Sequence, residues 1–288
     1  MNLAFHKDQE LFQASVRYTS EQTGFVARLI EKDYMCSVVL EYLSRSSEGS
    51  LIFKGGTCLA KVYWDFNRLS EDLDFIIPMP IESKRKERSR QVTPYKEALV
   101  NLPKELSIFE LKDSLRGKNE CRQYLAALSY RSLVNGEEEF IKLEIGLREP
   151  LLSNAIQAKT NTLLQNAANL NDRITTFPFQ CLSFEEALAE KFRAALSRKD
   201  VAIRDFYDLE YAVLKKGFNF NAVGFIEMVK KKLAVPGNDP PDMSDERISA
   251  LYDQMNARLK PVLREKDFQA FDLKKAVNYV SKMNSLVG

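Results

Sequence analysis

Apolar side chains recur three and four positions apart through DQELFQASVRYTSEQTG and again through GFVARLIEKDYMCSVVLEYLSRSS, which predicts two helices separated at Gly24. SLIFK, residues 50–54, is short, apolar and followed by Gly-Gly, the pattern of a buried strand. TCLAKVYWDF predicts a helix starting at Thr57, and LDFIIP a second strand that Pro78 and Pro80 bring to an end. Residues 82–102 open on ESKRKERSRQ and continue as VTPYKEALVNL, a charged helix or a loop leading into one. Two strand-like runs, CRQYLAALSYRSLV and EEFIKLEIGL, flank Asn135-Gly136, a pair whose tolerance of positive φ makes it a strong hairpin signal. In the second run Ile141, Leu143, Ile145 and Leu147 share one face, while Lys142 and Glu144 share the other. From Phe184 the period is helical, in FEEALAEKFRAALSRK, IRDFYDLEYAVLKK and NAVGFIEMVKKKL. Two more helices follow the loop VPGNDPPDMSD.

The expected architecture is α+β: a mixed core near residues 50–150, preceded by helices and followed by a helical region. This divides the chain into a core with its N-terminal helices over residues 1–180 and a helical domain over 181–288. At 288 residues, 45% hydrophobic and 28% charged, the composition is that of an ordinary soluble protein. No apolar run approaches the roughly 20 residues of a membrane span. MNLAFHKDQELFQ carries charges where a signal peptide needs its apolar stretch, so a cytoplasmic protein without membrane partners is expected.

The residue inventory narrows the chemistry. Cys36, Cys58, Cys121 and Cys181 lie far apart, which reads as four reduced thiols rather than a zinc site. The only histidine is His6, so Ser-His-Asp triads, Cys-His pairs and histidine-ligated metals are set aside. With 42 basic against 40 acidic side chains, any nucleic-acid surface must arise from local clustering.

Against that background Asp72 and Asp74 stand out, at i and i+2 of a predicted strand and therefore on one face. Two carboxylates so placed repel each other unless a cation lies between them. Mg²⁺ suits them, because it takes hard oxygen ligands while keeping positions for water and substrate phosphates. Glu144, from a strand able to lie alongside, is the candidate third carboxylate, although KLEIG also reads as an ordinary edge strand in which Glu144 orients Lys142. Gly55 and Gly56 end the first strand and lead into a helix, where backbone N–H groups can approach a phosphate, and Thr57 adds a hydroxyl. A lone Gly-Gly-Thr is commonly a turn and a lone D-x-D a solvated strand end; their combination favours a phosphate cradle beside a metal site.

Gly-Gly-Thr followed by Ser70-Glu71-Asp72-Leu73-Asp74-Phe75 resembles the nucleotidyltransferase superfamily of the DNA polymerase β type, and more closely the AbiEii/AbiGii toxin family. IEKDYMCSVVLEYL, LSFEEALAEKFRAALSR and the R-D-x-x-D of RDFYDLEYAV resemble further segments of that family, so the resemblance covers roughly residues 30 to 215. It implies a polymerase β-like core, with the C-terminal helices contributing to the active site. It also implies that Gly55, Gly56, Thr57 and Ser70 hold the NTP, that Asp72 and Asp74 bind Mg²⁺, and that Lys191 and Arg204 contact the nucleotide. Asp208 would activate the acceptor hydroxyl, and Asp205 would complete the motif with Arg204. Members act as toxins of toxin–antitoxin systems, some by adding nucleotides to the 3′ end of tRNA, which implies tRNA and a separate antitoxin as partners. The run KRKERSRQ offers Lys84, Arg85, Lys86, Arg88 and Arg90 as a surface for RNA, or simply a solvated helix face. Three rivals stay open: transfer to a small molecule or protein hydroxyl, kinase-like phosphoryl transfer, and a catalytically silent binding module.

Overall fold

The computed structural model describes residues 3–46, 50–169, 174 and 176–288. The chain forms two compact units, Met1–Leu182 and Ser183–Gly288.

The first unit opens with α1 (Gln9–Thr23), whose N-cap Asp8 accepts a hydrogen bond from the Leu11 N–H, and α2 (Ala27–Ser46). Its strands are β1 (Ile52–Lys54), β2 (Leu73–Ile76), β3 (Phe109–Lys118), β4 (Gln123–Arg131), β5 (Glu138–Gly146), β6 (Ile156–Thr160) and β7 (Phe177–Cys181). They build one sheet in the order β3-β4-β5-β2-β1-β7-β6. β2 runs parallel to β5 and β1 parallel to β7, and the remaining neighbours are antiparallel. A short helix, α3 (Gly55–Cys58), follows β1 and continues as a π-helical stretch over Leu59–Tyr63, so the helix begins two residues before the expected Thr57. α4 (Arg85–Glu105) is one continuous helix despite Pro94 and Pro103.

The β5 alternation behaves as its pattern predicts: Ile141, Leu143 and Ile145 are buried, and with Phe53, Leu73 and Phe75 they join the core beneath α2 and α4. The Asn135-Gly136 hairpin forms too, but its loop is longer than the two-residue turn that pair favours, because the strands separate at Arg131 and Glu138. The reason lies in α2. The carboxylate of Glu31 accepts hydrogen bonds from Ser132 Oγ at 2.5 Å and Leu133 N at 2.7 Å, holding the wider loop open.

The next two residues on α2 also reach distant parts. Lys32 Nζ lies 2.9 Å from Glu71 and 3.1 Å from Glu139. Asp33 accepts from Lys61 Nζ at 2.5 Å and, through its other oxygen, from Thr162 Oγ1 and Leu163 N. Lys61 is fully buried and donates to Ser37 Oγ as well. A buried charge is tolerated only when paired and hydrogen-bonded, as this one is. The IEKDY segment is thus a brace around the sheet.

The second unit is helical: α5 (Phe184–Ser197), α6 (Ile203–Lys216), α7 (Val223–Leu233), α8 (Asp245–Gln254), α9 (Glu265–Ala270) and α10 (Leu273–Val287). One more helix follows the proline-rich loop than the two expected. Ser183 caps α5 by accepting from the Glu186 N–H. Phe192 packs against Phe220 and Phe225, and buried Lys232 lies between Glu186 (2.7 Å) and Glu190 (3.3 Å).

Candidate functional site

The strand register assembles the carboxylates of the first unit. Asp74 on β2 is the Cα partner of Lys54 on β1 and of Glu144 on β5. Glu144 is in turn the partner of Leu125 on β4, and Leu125 of Arg116 on β3. Lateral partners in a sheet project from the same face, so Lys54, Asp74, Glu144 and Arg116 belong to one row across five strands. Asp72 precedes Asp74 by two and shares its face. Glu144 is therefore a neighbour of Asp74 rather than a residue of a remote edge strand.

The glycines are explained by how closely this row is approached. Gly55 has φ +77°, and a Cβ there would lie 2.9 Å from the Cβ of Asp74 and run into its carboxylate. A Cβ on Gly56 would collide with the guanidinium of Arg68, 3.2 Å from its Cζ. Arg68 is buried and donates to the Leu69 carbonyl at 3.2 Å. No motif marks this arginine, and the signal that could have found it is its place between the glycines and the carboxylates. Thr57 plays another part than the one expected of its hydroxyl. It is buried, and its Oγ1 donates to the Asp72 carbonyl at 2.5 Å, tying the start of the helix to the carboxylate-bearing segment. Ser70 is half-buried just upstream.

Beside the row lies a cleft of about 430 Å³, lined by Asp72, Asp74, Glu144 and Lys142 and, on β3, by Arg116 and Lys118. Among the described residues no three His, Cys, Asp or Glu side chains form a ready-made metal cluster. The donor set is hard carboxylate oxygen with open space beside it. That fits a cation completing its shell with water and substrate phosphate, as Mg²⁺ does, better than one needing an all-protein cage.

The second unit gathers the remaining residues of interest. Lys191 Nζ lies 2.6 Å from Asp205 Oδ1 and 2.9 Å from Asp208 Oδ2, and Arg198 reaches Asp205 at 3.4 Å. Burial pushes the Asp205 carboxyl up, but Lys191 and Arg198 outweigh it and hold it below the usual range. Asp208, the residue expected to activate the acceptor hydroxyl, is fully buried and paired with Lys191. Arg204 is half-buried on the same helix.

Of the five cations of KRKERSRQ, four are exposed and Arg88 is not. Its Nε donates to the Leu147 carbonyl and its Nη2 to that of Ile81, which makes it an anchor of α4 rather than part of an RNA surface.

The family model described as nucleotidyl transferase AbiEii toxin, type IV TA system, matches residues 39–274. No protein with a curated description matches. Among solved structures the chain is similar to JHP933 from Helicobacter pylori, at 19% identity and TM-score 0.50, covering 89% of this chain and 92% of that one. It is also similar to a Helicobacter pylori structure described as a candidate nucleotidyltransferase, at 19% identity and TM-score 0.47, covering 87% and 92%. At this identity the first likeness speaks to the fold alone.

Proposed function

Starting from its membership of the AbiEii nucleotidyltransferase toxin family, which the match over residues 39–274 establishes, we propose that this chain is the toxin of a toxin–antitoxin pair that transfers a nucleotide from an NTP to the 3′ end of tRNA. Translation is then blocked because the modified end cannot be used. The observation that carries the reading is the register pairing of Asp74 with Glu144, with Asp72 beside them and the Gly55–Gly56 loop packed against Asp74.

In this reading Asp72 and Asp74, with Glu144 adjoining, hold Mg²⁺, and the glycine loop brings backbone N–H groups to the triphosphate. The metal, when bound, neutralises charge on the phosphates and favours ionisation of the attacking hydroxyl. The 3′-hydroxyl oxygen forms a bond to the α-phosphorus, the bond from that phosphorus to the β-phosphate bridge breaks, and pyrophosphate leaves. The hydroxyl proton passes to a carboxylate. Thr57, by fixing the Asp72 backbone, and Arg68, by backing Gly56, are positioning residues. Lys191, Arg204 and Asp208 enter on the strength of their motifs, Lys191 as a compact charge for phosphate. The toxin's family also calls for a separate antitoxin as partner.

The test is transfer of label into total tRNA, with Mg²⁺, from α-³²P and γ-³²P NTPs in turn, for the natural protein and Asp74→Asn. Label from the α-phosphate alone, lost in the variant while its melting temperature stays put, is expected. Label from the γ-phosphate would mean phosphoryl transfer. Absence of label on tRNA from any nucleotide would remove the tRNA reading.

A further inference from the structure

We propose that the β3–β5 side of the cleft is the track on which the RNA acceptor's backbone lies, with Arg116, Lys118 and Lys142 contacting its phosphates and Phe140 stacking on a base. This rests on the nucleotidyl-transfer reading and adds to it where the acceptor runs.

The first support is a pair of irregularities in β3. From Phe109 to Leu111 the β3–β4 register pairs Phe109 with Tyr130 and Leu111 with Leu128; it shifts between Leu111 and Asp113 and again between Asp113 and Arg116. Extended without those shifts, the register would set Ser114 opposite Leu125. Two extra residues on β3 instead set Arg116 there, in the row with Glu144 and Asp74. Bulges of this sort commonly re-aim side chains near active sites. Here they place a guanidinium in line with the carboxylates.

Charge is the second support. Arg116, Lys118 and Lys142 are exposed, line the same cleft as Asp72, Asp74 and Glu144, and have no acidic partner among the described residues. Lys112, earlier on β3, is by contrast held between Glu110 and Glu138, each at 2.8 Å. Asp113 also lines the cleft, without an ion pair to any of the three. Unpaired cations beside a carboxylate cluster suit a polyanion that must pass the cluster without being repelled by it.

Position separates this track from the triphosphate. Gly55 approaches Asp74 from the β1 side, whereas Arg116 and Lys118 lie on the opposite side, on β3 beyond Glu144, with Lys142 on β5 beside Glu144. Arg116 is three strands from Asp74, roughly 14 Å at the usual strand spacing. Phosphates at that distance belong to a second molecule whose reacting end sits at the carboxylates. Phe140 is 44% exposed and alternates with Lys142 and Glu144 on the same face of β5. Phe140 stands outside the cleft lining, two residues before Lys142, and an exposed aromatic next to a basic groove is a combination that holds single-stranded nucleic acid without reading its sequence.

Anisotropy of fluorescein-labelled total tRNA, titrated with the full chain between 50 and 200 mM KCl, tests this. The variants are Arg116→Gln/Lys118→Gln/Lys142→Gln, Phe140→Ala, and the comparator Lys84→Gln/Arg85→Gln/Lys86→Gln/Arg90→Gln. Three lost contacts at about 0.7 each lower the salt slope by about 2 and weaken binding about a hundredfold at 0.1 M salt. Loss of a stacked base weakens it by about 5- to 150-fold. The comparator is expected to bind as the natural protein does, and the triple variant to keep its melting temperature and its binding of Mg²⁺–NTP. A triple variant with unchanged affinity and slope overturns the track. If the natural protein nonetheless labels tRNA, the track alone falls; if it labels no RNA, the acceptor reading falls with it.

Discussion

Replacing Gly55 by alanine perturbs the site in a way that can be separated from ordinary loss of stability, because the fold supplies its own control. Gly55 and Gly136 have nearly the same backbone angle, φ +77° and +75°. An alanine at either pays the left-handed cost of about 1–2 kcal/mol. At Gly136 the added methyl meets nothing within 4 Å, whereas at Gly55 it lies 2.9 Å from the Asp74 Cβ. That is about 0.6 Å inside the shortest comfortable carbon–carbon separation, so β1 and Asp74 must part. A displacement approaching 1 Å at reacting groups costs on the order of a hundredfold in rate. Gly136→Ala is therefore expected to lose about 1–2 kcal/mol in urea unfolding with unchanged label transfer per folded molecule. Gly55→Ala should lose more stability and about a hundredfold in transfer. Equal transfer rates for the two variants would refute the claim that Gly55 is glycine because Asp74 needs the space.

Two further outcomes follow from buried charges. Lys61→Met leaves Asp33 buried with only Thr162 and Leu163 as hydrogen-bond donors, and is expected to cost about 3–5 kcal/mol in urea unfolding; a loss under about 1 kcal/mol would show the pair to be incidental. Burial pushes the Glu210 carboxyl from 4.5 up to about 7, against the hydrogen bond it accepts from the Asp272 N–H. The folded state thus holds a proton that the unfolded state has released between those values, so this contribution to stability is full below pH 4.5 and lost as pH rises through 7. Glu210→Gln should flatten that stretch of the stability–pH curve, and an unaltered curve would contradict the assignment.

What could be read without coordinates was whatever depends on local period. β5 declared its two faces through Ile141, Leu143 and Ile145 against Lys142 and Glu144, and Asp72 and Asp74 declared theirs. β3, β6 and β7 escaped because their patterns are poor. FELKDSLRGK buries little beyond Phe109 and Leu115 and is bulged twice, IQAKT is mostly exposed, and FPFQC contains a proline. Pro178 is tolerated because β1, only three residues long, meets β7 at Cys181 and leaves the proline beside β6. The pairing of Asp74 with Glu144 depends on strand order, which no local pattern encodes. Lys191 has contacts that its motif does not announce. Two carboxylates from the next helix hold it, and helix-to-helix pairing has no local sequence signal.

The three consecutive charges of α2 carry a consequence in time. Lys32 and Asp33 each have one near partner, Glu71 and Lys61, but Glu31, Lys32 and Asp33 also reach residues 102, 107 and 130 further along the chain. During synthesis at 5–20 residues per second, α2 waits roughly 6 to 26 s between its own appearance and that of Leu163. Throughout that interval Lys32 and Asp33 have at most Glu71 and Lys61 as partners, and the brace around the strands bearing Asp74 and Glu144 is incomplete. A growing chain of this protein therefore has no assembled carboxylate row while it is still short. Activity arrives late in synthesis, when the ribosome making it has little of the first unit left to translate.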